Sequence, residues 1–118
     1  MQKLPEIILR DIPSNDIIDD LIREKVADLE STNDHLMSCR VTVEKLSKRH
    51  HKGNPYGIFI DLKIAPRHEI IIKEESKAGD MELTTLIRDA FKKARVALSE
   101  LKKRERNHRS HKDNEEEL

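Results

Sequence analysis

Aromatic side chains are almost missing from this chain: Trp is absent, and Tyr56, Phe59 and Phe91 are the whole supply. Readers of single-stranded nucleic acid stack bases on aromatic rings, and three rings are too few for such a platform. Cysteine is scarcer still. One residue, Cys39, excludes an intramolecular disulfide and a multi-cysteine zinc site. It lies in an alternating apolar stretch with no signature around it, so it reads as a small buried hydrophobe and not as a nucleophile. Long apolar runs are absent too. The opening residues, Met1-Gln2-Lys3-Leu4-Pro5-Glu6, break at once into proline and charge, unlike a membrane span or a signal peptide. The expectation is a cytoplasmic protein with no membrane partner. A nucleophile beside a base, or paired acids in a pocket, is not legible either. No enzyme, cofactor or small-molecule substrate is expected.

Charge is what the chain has in plenty: 39% of residues are charged against 36% hydrophobic, which predicts a thin core under a crowded ionic surface. A length of 118 residues leaves room for one domain of ordinary size. The formal net charge of +0 would argue against a nucleic-acid partner, but the zero is a sum over unequal parts. Residues 1–38 hold nine acidic side chains and four basic ones, a balance of −5, whereas residues 92–112 hold nine basic and two acidic ones, a balance of +7. Such polarity says more about partners than the total does.

Periodicity gives the elements. Glu6 to Ile12 is an Ile-rich run closed by Pro13, a first strand. Ser14 or Asn15 is the cap of a helix in which Ile18, Leu21, Ile22, Val26 and Leu29 recur at helical spacing among acids. Cys39, Val41 and Val43 alternate with polar residues, as do Ile58, Ile60, Leu62 and Ile64, and both stretches read as strands with one buried face. Between them Lys45 to Asn54 forms a basic loop. Ala65 to His68 is a tight turn, and Glu69 to Lys73 a strand folding back on its predecessor. The last helix starts near Asp80, its expected cap.

In that helix Leu83, Ile87, Ala90, Phe91, Ala94, Leu98 and Leu101 form an apolar stripe, and beside it runs a basic one of Arg88, Lys92, Arg95, Lys102, Arg106 and Arg109. Helix support fades beyond about Asn107. The domain is therefore drawn over residues 1–107, with 108–118 a disordered polar and acidic tail. The order β-α-β-β-β-α predicts an α+β two-layer sandwich: a four-stranded mixed sheet, its first two strands parallel through a right-handed crossover, with both helices on one face. Function is then expected on its surface.

Three segments go further. Ile87-Arg88-Asp89-Ala90-Phe91-Lys92-Lys93-Ala94-Arg95 resembles the "A-I-R-D-A-F-x-x-A-R" helix of the ribosome hibernation-promoting factors, also called ribosome-associated inhibitor or ribosomal-subunit interface proteins. Asn54-Pro55-Tyr56 opens a strand as in that family, and Ala65-Pro66-Arg67-His68-Glu69-Ile70 is close to its "P-G-x-E-I" turn. All three stand in register over roughly residues 6 to 106. Arg67 replaces the usual Gly, and Met81 stands where an aromatic is common. The chain resembles the short form, without the carboxyl-terminal dimerisation domain.

The resemblance implies a stress-response factor that sits in the small subunit's decoding channel, blocks messenger and transfer RNA and protects idle ribosomes, any pairing of ribosomes being left to a separate factor. The residues can carry this. Phosphate contacts need cations along a rigid support, which Arg88, Lys92, Arg95, Lys102, Lys103 and Arg106 supply on the helix. Lys45, Lys48, Arg49 and Lys52 make a second cluster, able to settle on RNA or to stay solvated. Recognition would be of RNA shape and backbone. The histidines, His50-His51 and His108 with His111 among them, sit amid cations that repel a metal, so no metal is expected. Two other readings stay open: a general double-stranded RNA-binding module, and a protein-interaction domain using the acidic first helix.

Overall fold

Asn15 begins the first helix, its side chain accepting hydrogen bonds from the backbone N–H groups of Ile17 at 2.9 Å and Ile18 at 3.4 Å. This settles the cap between the two candidates, and Asp16 and Asp19 in the first turn suit the positive end of the helix dipole. The computed structural model describes residues 3–46, 55–76 and 82–116, with side chains as far as Arg106. Its elements are β1 (Glu6–Arg10), α1 (Asp16–Thr32), β2 (Leu36–Lys45), β3 (Tyr56–Ile64), β4 (His68–Glu75) and α2 (Leu83–Glu116). The strands form one sheet in the order β1-β2-β3-β4, the first pair parallel and the others antiparallel. This is the α+β sandwich expected.

Alternation turns one sheet face to the helices. Val41 and Val43 from β2, Ile58, Ile60, Leu62 and Ile64 from β3, with Ile7, Leu9, Ile70 and Ile72 at the margins, meet Ile18, Leu21, Ile22, Val26 and Leu29 of α1. From α2 come Leu86, Ile87, Ala90, Phe91, Ala94 and Leu98. Burying each large apolar side chain stabilises the fold by roughly 1.5–3 kcal/mol, so this single core explains why an ion-rich chain folds. The side chains between, such as Ile8, Thr42, Phe59 and Lys73, stand in register on the open face.

Several boundaries differ from those expected, each for a local reason. β1 stops at Arg10 because Asp11 has φ of 58°, a left-handed conformation that no strand continues. β2 begins at Leu36, before its alternation becomes legible, since a register irregularity between Leu36 and Ser38 interrupts the period of two. Lys45 belongs to β2 and not to the loop: it pairs with Tyr56, and the Leu46 N–H goes on to donate to the Pro55 carbonyl at 2.9 Å. β4 runs on to Glu75, and the Ser76 hydroxyl then accepts from the Tyr56 N–H at 2.7 Å. The Ala65–Pro66 peptide bond in the β3–β4 turn is cis. The backbone of α2 is helical to Glu116, past Asn107 where helix support was expected to fade, while the expected cap Asp80 and the side chains over 107–118 lie outside the described residues.

Candidate nucleic-acid interface

α2 lies antiparallel along β4, tied near one end by Lys93 to Glu74 and near the other by His68 to Glu105, at 3.1 Å between Nε2 and Oε1. Those ties fix which flank of the helix faces β4. Helical geometry then turns Arg88, Lys92, Arg95, Lys102, Lys103 and Arg106 to the opposite flank and the outer surface. All six are exposed. From Arg88 to Arg106 the row is about 27 Å long at the standard helical rise.

Asp28 and Asp89 border the row, but no ion pair among the described residues joins either of them to it. Among the described residues, ion pairs join Arg23 to Asp19, Lys25 to Asp28, Arg40 to Glu6, Lys63 to Asp61 and Glu69, His68 to Glu105 and Lys93 to Glu74. None involves a residue of the row. Glu105, one of the two acids in the basic stretch, is turned toward His68, which leaves Lys102 and Arg106 without an ion pair among the described residues. Lys93 departs from the even supply of cations counted along the sequence: it sits about 100° round the helix from Lys92 and is neutralised by Glu74, which β4 points at the helix.

Arg88, Lys92 and Arg95 also border a shallow groove against α1, together with Lys25, Asp28 and Asp89. Lys25 was not among the expected site residues. It is surrounded by acids in the sequence, and only the packing of α1 beside α2 carries it to the row. Its pairing with Asp28 is loose, at 3.9 Å. Lys45 does not join the row. It stands at the end of the sheet where α2 begins, next to Tyr56, whereas Arg106 is near the other end beside the β3–β4 turn. The rest of that cluster, Lys48, Arg49 and Lys52, lies outside the described residues.

The remaining chemistry is sparse. Cys39 is buried, and desolvation, followed by the negative charges of Asp61 and Glu30, pushes its thiol up to about 12. A thiol so placed holds its proton, although Cys39 borders a shallow groove with Asp61 and Lys63. Among the described residues no group of three or more His, Cys, Asp or Glu side chains could hold a metal ion, and no helix is long and apolar enough to cross a membrane. His50 and His51 lie outside the described residues, as do the side chains of His108 and His111.

The molecule is thus a two-layer sandwich whose second helix carries a row of exposed cations with no ion pair among the described residues. The chain is a member of the Sigma 54 modulation protein / S30EA ribosomal protein family, whose model matches residues 6–106. That is the hibernation-promoting factor family, a family of ribosome-associated factors, which the three sequence segments resemble. The fold is similar to the crystal structure of the Thermus thermophilus Protein Y N-terminal domain, with a TM-score of 0.64 and 18% identity over 81% of this chain and 94% of that one. It is also similar to a ribosomal subunit interface protein from Coxiella burnetii, with a TM-score of 0.63 and 13% identity over 82% and 97%. At these identities the likeness is one of fold. A comparison with curated protein sequences gives no match.

Proposed function

We propose that this protein is a ribosome-associated translation factor that binds the small ribosomal subunit through the backbone of ribosomal RNA. There it occupies the channel of messenger and transfer RNA and stabilises idle ribosomes, in the cytoplasm and without enzymatic activity. The observation that carries this reading is the row Arg88, Lys92, Arg95, Lys102, Lys103 and Arg106, exposed on one flank of a rigid helix and free of ion pairs among the described residues. Cations held at fixed spacing lose little conformational freedom on meeting phosphates, and each contact releases condensed counterions. The shortage of rings leaves shape and backbone as what is recognised.

The test is co-sedimentation with purified small subunits. The double variant Lys92→Glu and Arg95→Glu should fail to sediment with them while keeping the circular dichroism spectrum of the wild type, because both side chains are exposed. A reversed protein that still sediments fully removes the row from the contact. Gel shifts with plain duplex RNA separate this reading from general double-stranded RNA binding, which predicts equal affinity for duplex and subunit.

A further inference from the structure

We propose that β4 is the seam of a symmetric homodimer, its free edge pairing antiparallel with β4 of a second copy about a two-fold axis at Ile71. β4 is the last strand of the sheet, and among the described residues nothing pairs with its outer side. The direction of its backbone groups follows from two bonds. The Ser76 N–H donates to the Tyr56 carbonyl at 2.8 Å, and on the other side of β3 the Leu46 N–H donates to the Pro55 carbonyl. Even-numbered residues of β3 therefore face β4, and odd-numbered ones face β2. By the alternation of an antiparallel ladder, Glu69, Ile71, Lys73 and Glu75 send their N–H and C=O groups to the free edge.

Odd residues can bond only odd residues of a second copy, so candidate registers differ by steps of two. Centring on Ile71 sets Glu69 opposite Lys73 of the second copy, and Lys73 opposite its Glu69. Arg67 comes level with Glu75, and Ile70 meets Ile72 on the helix side, where both are half-buried. Ile71, 51% exposed in the single chain, meets its own copy on the open face. Lys73, Glu75 and Arg67 have no ion pair among the described residues, and Glu69, already beside Lys63, would lie between two lysines. A shift of two residues one way opposes Glu69 to Glu75; the other way it opposes Arg67 to Lys73. Like charges directly opposite destabilise a strand pair, so the neighbouring registers are rejected and one is selected.

Charges on an edge strand usually keep other strands away, but here their alternation is complementary to a second copy in that register. The apolar groove between β4 and α2, with Val96 57% exposed on its wall, lies along the same seam. Of the cation row only Lys92 borders that groove, and the strand pairing uses none of the row's charges, so this inference does not depend on the proposed ribosome contact.

The experiment is sedimentation equilibrium of the full chain over a wide range of concentration. The wild type should dimerise, and Lys73→Glu and Glu69→Lys should each weaken self-association at least about tenfold, since each replaces two attractive pairs by two repulsive ones. An equimolar mixture of the two variants should restore dimers, because acids on one strand then oppose bases on the other. Both positions are exposed, and circular dichroism checks that each variant folds. A wild type that stays monomeric, single variants that associate as tightly as the wild type, or a mixture no better than its components would each overturn the proposal.

Discussion

Cys39 and Lys93 are residues whose chemistry is decided by what surrounds them. Burial, aided by Asp61 and Glu30, raises the Cys39 thiol from an ordinary value of 9.0 to about 12. Above pH 9 the unfolded chain gives up this proton while the folded chain keeps it. The stability linked to the thiol is therefore full below pH 9 and is lost as pH rises toward 12. Urea unfolding between pH 8 and pH 10.5 should show the wild type losing up to about 1.4 kcal/mol per pH unit more than Cys39→Ala in the alkaline part of that range. A constant difference between the two would mean that Cys39 does not titrate differently on unfolding. Lys93 and Lys92 are neighbours in the chain, yet one is tied to Glu74 and the other is open to a partner. That is why charge reversal at Lys92 and Arg95 tests binding, whereas at Lys93 it would also disturb the tie between α2 and β4.

At the scale of elements, α1 depends on its first turn. Its N-terminal N–H groups have no partners within the helix, and the Asn15 carboxamide serves two of them. Asn15→Ala should lower stability by about 1 kcal/mol, and Asn15→Gly by only a few tenths, both read from urea midpoints. Equal losses would point to some role other than the cap. β4 is the other element with an exposed requirement. Its outer N–H and C=O groups stay with water in a single chain, and its charges set the one register in which a second copy satisfies them.

Over the whole molecule, an acidic α1 and a basic row on α2 stand side by side, so a neutral chain presents a strong positive face and a strong negative one. A polyanion meets such a dipolar molecule in a preferred orientation. Binding to small subunits through five or six phosphate contacts should weaken on the order of a hundredfold or more between low and moderate salt, with a linear log–log plot. Filter binding across a salt series measures this slope. A flat slope would assign the affinity to apolar or hydrogen-bonded contacts instead.

The sandwich itself was legible in the chain: periods of two and 3.6, interrupted by Pro13 and the β3–β4 turn, order the strands and helices and name their buried faces, because burial of one face is what sets such periods. The cation row was legible for the same reason, as residues three and four apart on a helix share a flank whatever surrounds it. Contacts between elements distant in sequence were not. That Glu74 neutralises Lys93, that Lys25 reaches the row from another helix, that Lys45 closes a strand and that β4 is left as an edge all depend on which surfaces the core brings together. Long-range packing decided these, since no local pattern encodes the distance between side chains that meet only after the chain has folded.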